Sequence, residues 1–487
     1  MSRSGGDDVE NLPGFSLAVS QNRYLSTEDD EMHAVLTVSV SGAVEASAAP
    51  EVAQVIAIDC SGSMAYPPTK IAAAQRATRA AIDALRDGAL FAVVEGTLAA
   101  RMVHPAKPVL VAADQASRKA AKQAVNRLTA NGGTAMGAWL GLARRLLAEH
   151  PTAVRHVIML TDGQNGESDW ELDNELARCA PVFTCDARGI GEDWRPRQLL
   201  RIAEALHGTA DAVRKPADLV ADFAAMTRSA MDKLVPEVRV VVRTTSSSRL
   251  DFVRQTFPTE ADLAGEEIQP RTTAFTTGSW GVESREYHLR LTVDSSGAEP
   301  ERDIRVGRVD LELRRPGATE FERACDPQVV FAHWTEDLKL SSVLDPKVAH
   351  YTGQIELGEA VRDGCDAHDA GDVATAAAEW GKAVALATRL GNDKVLVRLL
   401  RLVDVVGDPS RGVVRVKEKP LAGDLLSAAV GSVVSSMSPD NPPPHPPVRS
   451  PSASTPAAPD VICPECQRSW PSGSLFCGGC GQRMDAR

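Results

Sequence analysis

The spacing of hydrophobic residues changes three times along the chain, and each spacing predicts a different kind of structure. Before residue 51, apolar side chains recur at every second position from Met32 to Val40, which is the period of a half-buried strand. From 51 to 235, short apolar runs alternate with alanine-rich amphipathic segments, a pattern typical of a doubly wound (Rossmann-like) α/β sheet. From 236 to 343 the period of two returns and predicts an antiparallel β-sandwich. From 344 to 410, amphipathic segments predict a helical hairpin or small bundle.

These segments predict a multidomain protein in which one domain is inserted into another. The strands before residue 51 need a sheet, and we expect them to pair with the strands of 236–343. Residues 13–50 and 236–343 would then form one discontinuous sandwich, and residues 51–235 would be the inserted α/β domain. We expect residues 1–12 to form a disordered leader, while the pattern over 411–434 leaves the structure there uncertain.

The main candidate site lies where the most continuous apolar run ends. Residues 52–58 are almost entirely apolar, which is typical of a buried strand of a parallel sheet. Asp59 follows this run, and two hydroxyl groups follow at Ser61 and Ser63. In open α/β sheets, ligands bind beyond the carboxyl ends of the strands. One acid and two hydroxyls form a hard, oxygen-only set that suits Mg²⁺ or Mn²⁺.

Two further segments carry oxygen ligands at a strand end or a helix start. Thr134 lies in a glycine loop before a predicted helix, and Asp162 follows a predicted strand at 157–160. The segments Asp59-x-Ser61-x-Ser63, Gly132-Gly133-Thr134 and Thr161-Asp162-Gly163, in this order, resemble the metal-ion-dependent adhesion site of von Willebrand factor type A domains. The resemblance covers about residues 52–233.

The resemblance implies a role for each of these side chains. Ser61 and Ser63 would coordinate Mg²⁺ directly, Asp59 and Asp162 would act largely through bound waters, and Thr134 would join when a ligand arrives. Mg²⁺ requires six oxygens, and these loops offer only two carboxylates, so the ion would stay electrophilic and accept an Asp or Glu side chain of a partner protein. We therefore expect a non-enzymatic, protein-binding scaffold similar to intracellular bacterial members of the family.

Two other functions are compatible with parts of the sequence. A metal-dependent phosphatase of the haloacid dehalogenase type would use Asp59 as nucleophile, but it needs a second acid two residues later, where this chain has Ser61. A regulator could instead act on nucleic acid through the C-terminal tail. His104 and His156, the histidines that could serve catalysis in the α/β domain, are expected to have ordinary structural roles.

The C-terminal tail predicts a second metal site of a different kind. Residues 435–460 are rich in Pro, Ser and Ala, which predicts a disordered, extended linker. Residues 461–487 resemble a short zinc ribbon, in which two C-x₂-C pairs can hold a structural Zn²⁺ tetrahedrally. The four cysteines are Cys463, Cys466, Cys477 and Cys480, and disulfide pairing among them is the alternative.

Composition narrows the expected partners and location. The 487-residue chain has a formal net charge of −12, which argues against nucleic-acid or anionic-membrane binding. The N-terminus lacks a basic-then-apolar signal pattern and no apolar run reaches membrane-spanning length. We therefore expect a cytoplasmic protein without membrane insertion, in which the scattered cysteines outside the tail are buried and reduced.

Overall fold

The computed structural model describes residues 14–41, 50–191, 194–213, 215–296, 301–418, 420, 422–433, 435, 461–462, 467 and 469–470. The predicted leader, nearly all of the proline-rich linker, and the four tail cysteines lie outside these residues.

The helices and strands follow one another in four groups. The first group is β1 (Gly14–Gln21), β2 (Tyr24–Ser26) and β3 (Glu31–Ser41). The second is β4 (Val52–Asp59), α1 (Thr69–Ala84), β5 (Leu90–Gly96), β6 (Ala100–His104), β7 (Val111–Ala112), α2 (Gln115–Val125), α3 (Met136–Ala148), β8 (Val154–Thr161), α4 (Asp169–Cys179), β9 (Thr184–Ile190), α5 (Pro196–Ala205), β10 (Ala210–Val213) and α6 (Leu219–Met231). The third is β11 (Glu237–Thr244), β12 (Ser248–Phe257), β13 (Ala261–Asp262), β14 (Gly265–Gln269), β15 (Thr272–Thr276), β16 (Ser284–Val293), β17 (Asp303–Arg314), β18 (Glu322–Arg323) and β19 (Gln328–Thr335). The fourth is α7 (Leu338–Ser341), α8 (Pro346–Asp369), α9 (Val373–Leu390), α10 (Asp393–Leu399), β20 (Val403–Val405), β21 (Val414–Val416), α11 (Ala422–Gly431), β22 (Val461–Ile462) and β23 (Ser469–Trp470).

The second group forms the predicted α/β unit. Its sheet runs β10-β9-β8-β4-β5-β6, with parallel pairing except where β6 and β7 meet β5 at one edge. All residues of β4 are buried, because helices cover both faces of the sheet. One apolar core contains side chains of α1, α2 and α6, and the other contains side chains of α3, α4 and α5. The prediction of a doubly wound α/β fold is confirmed.

The strands before and after the α/β unit pair with each other. One sheet runs β1-β3-β16-β12-β13, so that β3 lies between an N-terminal neighbour and a strand from the third group. The other runs β14-β15-β11-β17-β19-β2, in which β2 pairs with β19 in parallel. The inward side chains of both sheets share one apolar core, which includes Leu36, Leu289 and Leu311. The chain therefore leaves this pair of sheets after β3 and returns to it at β11.

The C-terminal helices differ from the prediction in two places. The prediction for 344–410 contained only helices, but α10 ends at Leu399 and β20 pairs with β21. Alternating β-branched side chains in β20 and the glycine Gly407, whose φ is 81°, favour a hairpin there. Residues 422–431, in the uncertain stretch, form α11, and its side chains Leu426 and Val430 join the core of the α/β unit.

A cavity of about 380 Å³ lies between the α/β unit and the paired sheets and is lined by several charged and polar side chains. His207, just after α5, lies at its wall in a left-handed conformation with φ 52°. Burial lowers the pKa of His207 to about 4, and the neighbouring Arg285 adds to this shift. The folded protein therefore holds this imidazole neutral, whereas the unfolded chain protonates it near its ordinary pKa of about 6.5.

We expect His207 to cost stability as the pH falls. Its contribution should be fully present above pH of about 6.5 and should be lost between that pH and 4, because only the unfolded state gains the proton there. Between pH 7 and 5, the free energy of unfolding should fall by about 1–2 kcal/mol more in wild type than in His207→Asn. Asparagine tolerates the left-handed backbone and does not titrate. Urea unfolding at both pH values measures the difference, and parallel losses in the two proteins would contradict the assignment.

Candidate functional site

Sheet register brings two of the predicted site segments together. β4 and β8 are adjacent parallel strands in which Ile58 lies opposite Leu160, so Asp59 and Asp162 leave the sheet side by side. Their loops meet at the carboxyl edge, the general position for ligands in open α/β sheets. The fold thus places two carboxylates that are 103 positions apart in the sequence at the same edge of the sheet.

The side-chain oxygens of these two loops form one connected cluster. The Ser61 and Ser63 hydroxyl oxygens lie 3.0 Å apart, and Ser63 Oγ donates to Asp162 Oδ1 at 2.6 Å. Asp59 accepts from the Ser61 backbone N–H at 2.8 Å and from Thr161 Oγ1 at 2.6 Å, so it braces both loops. Burial raises the pKa of Asp59 and the nearby Asp162 carboxylate adds to the shift, while the bonds from Ser61 and Thr161 oppose it. A cation would relieve this unfavourable concentration of negative charge.

Thr134 reaches the same cluster from a third loop. This loop is held by backbone bonds to the first one, with Gly62 N–H donating to Gly132 C=O at 2.8 Å and Asn131 N–H donating to Cys60 C=O at 2.7 Å. A Cβ atom built on Gly163 would lie 3.3 Å from Ser63 Oγ and 3.4 Å from Thr134 Oγ1, so both hydroxyls border the backbone of that glycine. All five predicted residues therefore lie around one small volume.

The chemistry of this donor set fits a hard divalent cation. Neighbouring oxygens around octahedral Mg²⁺ lie roughly 3 Å apart when each metal–oxygen distance is about 2.1 Å, and the Ser61–Ser63 separation of 3.0 Å matches that edge. The adjacent thiol of Cys60 is fully buried within the apolar core, and burial raises its pKa well above the usual range, so it offers no thiolate. The set is oxygen-only, as Mg²⁺ or Mn²⁺ prefers.

Three large apolar side chains near the loops of this cluster in the sequence or the fold face solvent. Tyr66 follows the Ser63 loop and is 79% exposed, and Trp170, the second residue of α4 after the Asp162 loop, is 74% exposed. Leu98, which is 69% exposed, lies against Gly133 in the Thr134 loop. We call these three residues the apolar rim. Exposed apolar side chains grouped around a polar centre are typical of protein-binding surfaces.

Comparison with known proteins identifies the family. The family model of the von Willebrand factor type A domain matches residues 53–212 of this chain. A solved structure, the von Willebrand factor type A protein from Catenulispora acidiphila, is 40% identical; the match covers 89% of this chain and 99% of that one, with a TM-score of 0.82. This chain belongs to the von Willebrand factor type A family. Domains of this family typically mediate protein interactions.

Two further proteins are similar to this chain, one in fold and one in sequence. The ArnB paralog VWA2 from Sulfolobus acidocaldarius is 12% identical, and the match covers 86% of this chain and 98% of the VWA2 chain. Its TM-score of 0.52 shows similarity of the fold alone. An uncharacterized protein from Synechocystis is 28% identical over 171 residues, which is 34% of this chain. The present chain spans about two fifths of that relative, 39% of its length.

One charged residue beside the candidate site was missed by the sequence reasoning. Lys70, the second residue of α1, lies with its Nζ 2.7 Å from Asp162 Oδ2, and the two side chains are 8% and 0% exposed. It also lines a cavity of about 710 Å³ beside the site, together with Tyr66 of the apolar rim. The available signal was the position of Lys70 as the first cation after Ser63, at the start of the next helix.

Two acceptors that hold the Thr134 loop were also missed. Asn165 Oδ1 accepts from Met136 N–H at 2.9 Å, and Glu167 Oε2 accepts from Gly137 N–H at 2.6 Å. These side chains cap the start of α3 from the Asp162 loop, and they satisfy amides that have no partner within the helix. The loop that carries Thr134 is thereby tied to the loop that carries Asp162.

The histidines of the α/β unit lie apart from this cluster. His156 Nε2 is 2.9 Å from Asp186 Oδ2, between β8 and β9, and the ring of His104 stacks on Phe91 at a centroid distance of 5.6 Å. Neither contacts a residue of the candidate site. Their structural contacts agree with the ordinary roles expected for them.

The predicted zinc ligands are the four cysteines of the C-terminal tail. Cys463, Cys466, Cys477 and Cys480 lie outside the described residues, and the zinc ribbon stays a prediction. Near them, Val461–Ile462 pairs antiparallel with Ser469–Trp470. Of the five remaining cysteines, Cys60, Cys179, Cys185 and Cys365 are buried and Cys325 is partly exposed, and all five are free thiols. Within the described part of the chain, no helix is long and apolar enough to cross a membrane.

Proposed function

We propose that this von Willebrand factor type A protein is a non-enzymatic interaction scaffold that binds an Asp or Glu side chain of a partner protein through Mg²⁺. The proposed metal residues are Asp59, Ser61, Ser63, Thr134 and Asp162. The observation that carries the proposal is the meeting of two hydroxyls and two carboxylates from separate loops at one sheet edge, with Ser63 left half-buried rather than sealed.

The neutral and the charged residues of the site have different roles. Ser61 and Ser63 offer neutral oxygens directly at the centre, while Asp59 is engaged by Thr161 and by the Ser61 backbone and holds the loops in place. When bound, Mg²⁺ supplies an electrophilic coordination position for an external carboxylate. Neutral inner ligands suit this role because they leave the positive charge of the site incompletely cancelled.

The surroundings of the site favour a protein partner over a small substrate. The apolar rim of Tyr66, Leu98 and Trp170 offers exposed surface that a folded partner can cover around its acidic residue. A phosphatase reading has little support, because Ser61 stands where the second acid is required and, among the described residues, no histidine contacts Asp59 or Ser61.

The paired sheets and the C-terminal tail have proposed roles of their own. We infer that the two sheets built from 14–41 and 237–335 act as a β-sandwich that carries the inserted domain, a reading supported by their strand pairing and common core. We also propose that the tail cysteines bind a structural Zn²⁺ and that the scaffold works in the cytoplasm. Four cysteines in two C-x₂-C pairs and a net charge of −12 support these readings over a nucleic-acid regulator.

A capture experiment tests the proposed function. Immobilised full-length protein is exposed to cell lysate in Mg²⁺ and in EDTA, beside Thr134→Ala and Trp170→Ser. We expect a partner retained by wild type in Mg²⁺, released by EDTA, and bound at least about tenfold more weakly by each variant, since interface aromatics carry much of the binding energy.

Controls separate the site from the rest of the surface. Val282→Ser removes an apolar side chain that is 65% exposed just before β16 of the paired sheets, and it should retain the partner as wild type does. Thermal unfolding checks that each variant is folded. If every retained protein ignores EDTA, Thr134→Ala and Trp170→Ser, metal-mediated docking is wrong, and partners lost only on removal of residues 441–487 would move the function to the tail.

A further inference from the structure

Lys70 forms a buried ion pair at the edge of the proposed metal centre. Its Nζ lies 2.7 Å from Asp162 Oδ2, and the other oxygen of Asp162 accepts from Ser63 Oγ at 2.6 Å. Both side chains of the pair are almost completely removed from solvent. An ammonium group is costly to bury, so its presence beside a proposed metal residue requires a reason beyond ordinary surface pairing.

The fold provides space for this lysine in particular. A Cβ atom built on Gly191, just after β9, would lie 3.0 Å from Lys70 Cε and 3.3 Å from Nζ. The lysine chain therefore passes directly over a glycine backbone with φ 80°, where an ordinary side chain would press against it. The first turn of α1 and the end of β9 together direct the ammonium group at Asp162.

Lys70 makes the charge of the site less negative, which favours the binding of an external carboxylate once a cation is present. Asp59 and Asp162 carry two negative charges and Lys70 carries one positive charge, so these three groups together carry one negative charge. A divalent cation turns this into one positive charge. Without Lys70, the charge of the site would be one unit more negative, and an incoming anion would be attracted less strongly.

We propose that Lys70 is a positioning residue that couples metal binding to carboxylate binding: it weakens the hold of the empty site on Mg²⁺ and leaves one positive charge for the acidic residue of the partner. This inference rests on the proposed function. In a buried setting with low effective dielectric, a unit charge a few ångströms from the metal changes affinity substantially. The metal ion and the partner would then each bind more tightly when the other is already bound.

A purely structural role for Lys70 predicts the opposite sign. If the ion pair only braced α1 against the Asp162 loop, removing the ammonium group would disorder the site and weaken metal binding. The electrostatic role predicts tighter metal binding, because Asp162 loses its internal partner and the repulsion from Lys70 disappears.

Metal titrations with and without a carboxylate probe distinguish these roles. Mn²⁺ binding to the full chain is followed by electron paramagnetic resonance, in acetate and in chloride at equal ionic strength. In chloride, Lys70→Met should bind Mn²⁺ on the order of tenfold more tightly than wild type. Acetate should tighten Mn²⁺ binding by wild type about threefold or more and should tighten Mn²⁺ binding by Lys70→Met clearly less.

Matched variants complete the test. Lys70→Arg keeps the charge and should restore the wild-type response to acetate. Lys122→Met removes an ammonium group that is 2.6 Å from Asp83 on another helix, and it should behave as wild type. If Lys70→Met fails to fold, Lys70→Gln carries the same expectation, because it can still donate to Asp162 without charge.

The outcomes separate this inference from the function on which it rests. If wild type binds Mn²⁺ but Lys70→Met or Lys70→Gln binds it equally or more weakly, the role of Lys70 is wrong and the metal site stands. If wild type binds neither Mn²⁺ nor Mg²⁺, the proposed function fails as well.

Discussion

Replacement of Asp59 by alanine should lower the affinity for Mg²⁺ on the order of a hundredfold. Asp59 supplies one of two carboxylates at the site and also holds it together, because it accepts from Ser61 N–H and from Thr161 Oγ1. The substitution would therefore remove negative charge and release the loop that carries both serines. Loss of a residue that orients metal ligands typically costs ten- to a hundredfold in affinity, and Asp59 combines this role with charge. Calorimetric titration of Mg²⁺ into wild type and Asp59→Ala measures the change.

The same substitution should also reduce stability, and controls are needed to separate the two effects. Thr161 Oγ1 and Ser61 N–H are buried and would lose their shared acceptor, which costs about 1–3 kcal/mol for each group left without a partner. Asp59→Asn keeps an acceptor and the shape but not the charge, so it should fold nearly as wild type and still lose Mg²⁺. Asp211→Ala removes an exposed acid from β10 of the same sheet and should change neither property. Mg²⁺ affinity in Asp59→Asn equal to that of wild type would rule out the proposed centre.

Replacement of Glu286 by alanine should cause a large loss of stability by loosening the attachment of α8 to the paired sheets. Glu286 is fully buried on β16 and joins three partners from other elements. Its Oε1 accepts from Thr37 Oγ1 at 2.7 Å and from Lys347 Nζ at 2.5 Å, and its Oε2 accepts from the hydroxyl of Tyr351. Burial raises the pKa of Tyr351, and the Glu286 carboxylate adds to the shift, so the phenol stays protonated and donates. This cluster attaches α8 to the paired sheets.

We expect Glu286→Ala to lower the free energy of unfolding by about 3–5 kcal/mol, the usual cost of leaving one member of a buried ion pair without its partner. Denaturant titration measures this change. Lys347→Met in the Glu286→Ala background should recover part of the loss, since it removes the ammonium that lacks its partner. Glu312→Ala breaks an ion pair with Arg239 in which both side chains are partly exposed. It should lower the free energy of unfolding by at most about 1 kcal/mol. A loss below that level in Glu286→Ala would mean that α8 is held by its apolar contacts alone.

The sequence determined much of this protein through local patterns. Residues 52–58 contain one polar residue, Gln54, and therefore favour a fully buried strand. Apolar side chains at every second position from Met32 to Val40 favour a strand that packs one face on an apolar core. Asp59, Ser61, Ser63, Thr134 and Asp162 were recognisable because each follows a strand or precedes a helix, and parallel strands deliver such positions to one edge. Family membership followed from these segments and is confirmed by the relative from Catenulispora acidiphila.

Other features depended on contacts between distant parts of the chain, which no local pattern records. The short strand β20 and the helix α11 were not foreseen, since the first has only three residues and the second gains its place by burying Leu426 and Val430 against another unit. The pairing of Lys70 with Asp162 joins residues 92 positions apart, and the cluster around Glu286 joins β3, β16 and α8. Local patterns in the sequence therefore predicted the main strands and helices and the oxygen side chains of the candidate metal site. Only the tertiary structure decided which charges are buried together, because burial and charge balance depend on neighbours that packing brings into contact.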